Sequence, residues 1–199
     1  MNAADWLREF ARLVAENEDE LTRLDAAIGD ADHGANLTRG LTAVVAALDA
    51  GDPPGPLLTA AGLTLISTVG GAAGPLFGTF FLRMGNALGD EPDVEALATA
   101  LRAGLDGVVQ RGKAEAKDKT MYDALAPAVE AVEKAAAAGQ SLPEAIAAAS
   151  TAADEGCAAT IPLVARKGRA SYLRERSTGH QDPGATTVAL LFRSLRSSC

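Results

Sequence analysis

Forty-three of the 199 residues are alanine, and alanine is the side chain that costs least to hold in a helix. With aromatics at only 4%, a core built from this chain must close by bringing backbones near one another. Helices packed through small side chains do this, and sandwiched sheets do not. The expected fold class is therefore all-α. A chain of 199 residues is expected to form one domain, 1–199, with a sizeable core.

Lys and Arg number 18 and Asp and Glu 26, a formal net charge of −8. That sign excludes unselective nucleic-acid binding. Cys157 and Cys199 have no disulfide-framework spacing, so a reducing cytoplasm is the expected setting. The opening MNAADWLREF carries acids where a signal peptide carries bases, and no window approaches 18 uninterrupted apolar residues, so no membrane segment is expected.

Apolar residues recur at helical spacing in Trp6, Phe10, Leu13 and Val14, and again in Leu37, Leu41, Val44 and Leu48. Met121, Leu125, Val129 and Val132 repeat the pattern behind a Thr120-x-x-Asp123 capping signal. Pro127 should bend that helix, Gly139 should stop it, and Ser141-x-x-Glu144 should start the next. Leu58 to Val69, Leu76 to Leu88, Val94 to Val109, Ala158 to Arg169 and Thr186 to Leu195 also suit helices, the first with a buried strand as the alternative. The total is about eight.

LDAAIGDADHGAN places Asp25, Asp30 and Asp32 within eight residues. Carboxylates this close repel unless a cation joins them, and hard oxygen donors at this density suit Mg²⁺. A calcium EF-hand counted from Asp30 fails, with Ala35 where Gly is needed and Leu41 where Glu is needed. A polar turn whose aspartates cap a helix starting near His33 remains the competing reading. VGGAAGPLFG, with Gly70, Gly71, Gly74 and Pro75 before an apolar helical run, offers backbone N–H groups and a helix N-terminus to an anion. It lacks the Gly-Lys-Ser/Thr ending of a Walker A loop, and close helix packing explains such glycines equally well. Lys113, Lys119, Arg166, Lys167 and Arg169 concentrate positive charge in an acidic chain, which points to a polyanionic ligand or simply to solvated helix ends. His33 and His180 with Cys157 and Cys199 match no zinc spacing, and no nucleophile elbow is present.

Four segments in order, IGDADHGAN, VGGAAGPLFGTF, RGKAEAKDKTM and ARKGRASYLRERSTGHQDPGAT, resemble the DhaL subunit family of dihydroxyacetone kinases over nearly the whole chain. The resemblance implies an antiparallel eight-helix barrel holding ADP or ATP and two Mg²⁺ at one end. It assigns metal binding to Asp25, Asp30 and Asp32. It assigns nucleotide contacts to His33, Gly34, Ala35 and Asn36, to Ala72 and Ala73, to Gly112, Met121 and Arg169, and to the turn Asp182-Pro183-Gly184. Met121 would lie against adenine and Arg169 against phosphate. Three residues depart from the family pattern. Ala73 stands where Ser is usual, and Lys117 and Arg174 stand where Gly is usual, Lys117 disfavouring a left-handed backbone.

What the resemblance implies is a kinase subunit, of the phosphoenolpyruvate-glycerone phosphotransferase type, with no catalytic residue of its own. Its nucleotide donates the γ-phosphoryl group to dihydroxyacetone on a DhaK-type partner, and bound ADP is rephosphorylated in place by a DhaM-type phosphohistidine protein. A length without fused substrate or transporter-type domains resembles that version. Two rival readings remain: a subunit of an ATP-dependent kinase for dihydroxyacetone or a related ketose or tetrose, with exchangeable nucleotide, and a non-catalytic nucleotide-binding regulatory module.

Overall fold

The computed structural model describes residues 2–49 and 51–198; Cys199, weighed above as a metal ligand, lies outside them. Among the described residues there are nine α-helices and no strand. They are α1 (Ala3–Glu16), α2 (Glu18–Ile28), α3 (His33–Ala46), α4 (Pro54–Thr68), α5 (Ala73–Ala87), α6 (Val94–Gly112), α7 (Tyr122–Ala137), α8 (Leu142–Ala159) and α9 (Pro183–Ser197), with a 3₁₀ segment at Arg169–Ser177. No helix is long and apolar enough to cross a membrane.

The helices form where caps and periodicity coincide. The Asn2 side chain accepts the Asp5 N–H at 3.1 Å to start α1, and Trp6, Phe10 and Val14 then share its buried face. Pro54 opens α4, which settles the segment before Val69 as helix and not strand. In α7 the chain runs through Pro127. The Asp123 carbonyl, which loses its intrahelical donor to the proline, lies against Gly156 of α8. Gly139 takes φ +66° after α7, and Ser141 N–H donates to the Glu144 carboxylate at 2.9 Å as α8 begins.

Neighbour relations run α1–α3–α4–α5–α6–α7–α8–α9 and return from α9 to α1, while α2 packs on α1, α3, α9 and the 3₁₀ segment. One apolar core joins residues of all nine helices. Its aromatic centre is Trp6, Phe10, Phe80 and Phe81, with Trp6 and Phe81 ring centroids 5.7 Å apart and the indole N–H donating to Leu191 O at 3.1 Å. The alanine-rich composition has its counterpart in α4 and α5, which touch backbone to backbone. A Cβ on Gly62 would stand 2.6 Å from Gly78 O, and one on Gly85 2.6 Å from Gly55 O.

Three sequence expectations need correction. Among the described residues the α-helices number nine and not about eight, and Glu18–Ile28 is one that the apolar spacing did not single out. Ala158 to Arg169 is not a helix: α8 ends at Ala159 and turns follow to the 3₁₀ segment. The α7 cap falls on Met121, one residue after Thr120, although Asp123 does accept the Thr120 N–H at 3.0 Å.

The two positions where glycine is usual in the resemblance both take positive φ here, +70° at Lys117 and +52° at Arg174. Lys117 is held there by its N–H to Asp123 Oδ1 at 2.5 Å. Arg174, with ψ −127°, lies where only glycine is comfortable. Arg174→Gly is expected to raise the unfolding free energy by about 1 kcal/mol, the relief of strain less the extra chain entropy of glycine. Urea midpoints measure it, and a lower midpoint for the variant would contradict it.

Candidate functional site

Asp25 sits in the last turns of α2, Gly29 closes that helix, and Asp32 stands at the N-cap of α3. Between them Ala31 adopts φ +63°, a costly conformation for a residue with a Cβ that turns the loop back on itself. The outcome is that Asp25, Asp30 and Asp32 each bring a carboxylate oxygen to within 4.8 Å of the others. Gly29 is required for close approach, since a Cβ there would run into the Asp25 carboxylate.

Asp25 is buried, and its Oδ2 accepts the N–H of Asp32 at 2.9 Å and of His33 at 3.2 Å. The helix-cap reading is thus realised, but by Asp25 from the preceding helix; Asp32 makes no side-chain cap bond. Asp30 and Asp32 are exposed, and Asp30 pairs with Arg169 at 2.9 Å. Three hard oxygen donors, one of them fixed by two N–H groups, fit a Mg²⁺ that keeps water or phosphate in its remaining positions.

Beside this cluster opens a cavity of about 410 Å³. Leu76 and Phe77 of α5, Val108 of α6 and Met121 give it an apolar wall, and Gly112 closes the end of α6 against it. Ala72 and Ala73 line it at the start of α5, where no side chain caps the helix. Pro75 has no N–H, so the groups left free for an anion in this turn are the N–H of Ala73 and Gly74. Gly71, at φ +66° with open space around it, makes the turn. Gly74 meets Val69 O closely, so close packing accounts for this glycine, while Gly71 shapes the turn ahead of the uncapped helix start.

Two titratable side chains, Asp182 and His33, also line the cavity. Asp182 caps α9 by accepting the Ala185 N–H at 2.7 Å. Burial pushes its carboxyl up to about 7, with the Asp123 charge adding to the rise while the Ala185 N–H and Lys119 oppose it. His33 Nε2 lies 2.9 Å from Thr187 Oγ1, whose hydroxyl donates to Pro183 O at 3.0 Å, so Nε2 carries the hydrogen. Burial holds the imidazole below its ordinary range against the pull of Asp25 and Asp32.

Because the folded protein keeps a proton on Asp182 that the unfolded chain gives up near pH 4, the stability linked to this group is full below about pH 4. It is lost as pH rises toward 7. Asp182→Asn keeps the α9 cap and removes the charge. It is expected to flatten that part of the profile and to be more stable than the parent above pH 7, as read from urea midpoints between pH 4 and 8. An unchanged slope would contradict the assignment.

Of the residues singled out in the sequence, Asp25, His33, Ala72, Ala73 and Gly112 line the cavity. So do Met121, Arg169 and the Asp182-Pro183-Gly184 turn. Gly34, Ala35 and Asn36 do not. Gly34 lets α3 rest on Glu18 O and Thr22 of α2, Ala35 is exposed, and the Asn36 amide oxygen accepts from Arg39 at 2.8 Å. Sequence reasoning gave no role in the site to Leu76, Phe77, Val108 and Thr120, which line the cavity, and counted Lys119 only as one basic residue of a patch. The apolar residues carried a helical signal and nothing to mark them as lining.

A DAK2 domain model matches residues 27–197. The PEP-dependent dihydroxyacetone kinase, ADP-binding subunit DhaL, of Escherichia coli is 47% identical over 96% of this chain and 93% of that protein. A D-erythrulose kinase of Mycolicibacterium smegmatis is 38% identical over 94% of this chain but 33% of its own length. Among solved structures, the dihydroxyacetone kinase of C. freundii in complex with AMP-PNP and Mg²⁺ superposes with a TM-score of 0.73 at 28% identity, over 99% of this chain. The native form gives 0.75. This chain spans about a third of the length of those two. On a family match that runs from within α2 to the end of α9, the chain belongs to the DAK2-domain family.

Proposed function

We propose that this chain is the ADP-binding subunit of a dihydroxyacetone kinase and passes a phosphoryl group from bound nucleotide to dihydroxyacetone on a DhaK-type partner in the cytoplasm. The observation that carries the reading is the convergence of three carboxylates beside a cavity that has an apolar wall and an uncapped helix N-terminus. Asp25, Asp30 and Asp32 would hold Mg²⁺, two ions by the family resemblance. Bound there, Mg²⁺ supplies neutralisation of phosphate charge.

The chain's own residues do the rest by position. The N–H groups at the start of α5 bind phosphate oxygens, Met121 and Leu76 hold the base on the apolar side, and Arg169 exchanges its Asp30 partner for phosphate. No side chain here needs to act as nucleophile or general base, since phosphoryl transfer is mostly alignment and charge compensation. The match over almost the whole of the DhaL relatives supports rephosphorylation of retained ADP by a DhaM-type protein. The erythrulose kinase relatives favour as second reading an ATP-dependent ketose or tetrose kinase with exchanging nucleotide.

Two measurements test this. Phosphorylated ketose should form only when a DhaK-type subunit is added; none with any such partner would leave the binding-module reading. Mass analysis of what the purified protein releases on denaturation should find ADP if the nucleotide is retained, and an empty protein would favour the exchanging kinase.

A further inference from the structure

Lys119 is 1% exposed, has φ +61° and forms no ion pair among the described residues. Its Nζ instead lies among four backbone carbonyls: His180 O at 2.6 Å, Thr160 O at 2.9 Å, Leu163 O at 3.1 Å and Ile161 O at 3.4 Å. An ammonium has three N–H donors, so three of these bonds are direct and the longest is shared. Thr160 is the C-cap of α8, where unpaired carbonyls and the helix dipole both favour a cation. His180 lies two residues before the α9 cap. One ammonium therefore fastens the end of α8 to the beginning of α9.

Everything between those two roots is the segment 160–182, which has no α-helix and brings Lys167, Gly168 and Arg169 over the cavity. Short bonds close its neck: Gly179 N–H to Ile161 O at 2.8 Å and Asp182 N–H to Thr160 Oγ1 at 3.0 Å. Arg166 N–H reaches Asp118 O at 3.0 Å, next to Lys119 in the chain. The segment has little apolar burial: Ala165 and Ala170 join Ile28 in a small separate cluster, with Leu173 partly buried against it. Its position is set by polar bonds, and Lys119 makes the most of them.

We propose that Lys119 is a positioning residue of the nucleotide site, its ammonium fixing the 160–182 segment so that Arg169 and the Asp182-Pro183-Gly184 turn stand in place around the cavity. The proposal rests on the reading of that cavity as a nucleotide site. Without the ammonium the four carbonyls lose their common donor and the neck opens, while the main core, which Lys119 does not enter, is untouched.

The test uses the full chain, hydrogen exchange of peptides within 161–181, and titration with ADP and Mg²⁺. Lys119→Met should speed exchange in that segment alone, leave α4 and α5 as in the parent, and weaken ADP binding about tenfold, a modest misplacement penalty. Lys119→Arg, which keeps the charge and safeguards folding, should shift both readouts in the same direction by less, because a planar fork cannot serve converging carbonyls from one atom. Leu97→Ala, in the core at the far end of α6 from Gly112, should lower the melting temperature without changing ADP affinity. The proposal is overturned if both Lys119 variants exchange as the parent does, if faster exchange leaves ADP affinity unchanged, or if Leu97→Ala weakens ADP equally. Failure of the nucleotide reading itself would show in the parent protein, as no Mg²⁺-dependent ADP binding.

Discussion

Asp30→Asn is expected to abolish phosphoryl transfer, a loss on the order of a thousandfold or more, while leaving the ligand-free protein within about 1 kcal/mol of parent stability. The second half of that statement comes from the geometry. Asp30 is exposed and its one partner, Arg169, is 63% exposed at the side chain, so the pair holds the fold only weakly. Asp25 differs, because the same carboxylate caps α3. Asp25→Ala should lose transfer and also about 1 kcal/mol of stability, whereas Asp25→Asn keeps an acceptor for the cap and should lose transfer alone. A coupled assay with the partner subunit and urea midpoints on the same preparations decide the matter. Wild-type Mg²⁺-dependent ADP affinity in Asp30→Asn would remove the metal assignment and leave the aspartates as a capped turn.

Stripped protein given Mg²⁺ and ADP together is expected to gain on the order of 4 kcal/mol at a thousandfold excess over Kd, by mass action on the folded state. Either addition alone should give much less. Three carboxylate oxygens within 4.8 Å carry mutual repulsion that Arg169 and the N–H groups on Asp25 offset only in part, and a cation held there gains phosphate oxygens when ADP is present. A melting series with EDTA, Mg²⁺, ADP and both measures this. ADP with EDTA stabilising as fully as ADP with Mg²⁺ would mean that the aspartates do not bridge metal to nucleotide.

The aspartate cluster was legible in the sequence because three acids in eight residues have few structural uses, and the glycine turn because Gly71 and the α5 start are adjacent in the chain. The helix over Glu18–Ile28 was hidden by its charges, although Leu21, Leu24 and Ile28 keep helical spacing. Ala158 to Arg169 was misread for a different reason. Its carbonyls at 160, 161 and 163 are taken by Lys119, about forty residues away in sequence, and no local pattern reports a donor that distant. Nor could residue type announce the positive φ values of Ala31, Lys117, Lys119 and Arg174, which run against the preference of any residue with a Cβ. What remained unreadable was conformational: which side chains face the cavity, and which backbone turns hold them there.

The glycine contacts between α4 and α5 act as a gauge with a single setting. Backbones so close that a Cβ at either of two levels would stand 2.6 Å from a facing carbonyl cannot slide past one another by part of a turn, because the next residues along carry side chains that would force the helices apart. Gly85, about 18 Å along α5 from its first turn at the helical rise, therefore fixes how far the N–H donors at Ala73 project into the cavity. The placement of the uncapped start of α5 is calibrated at the opposite end of the hairpin, while Gly71 at φ +66° shapes only the turn that leads into it.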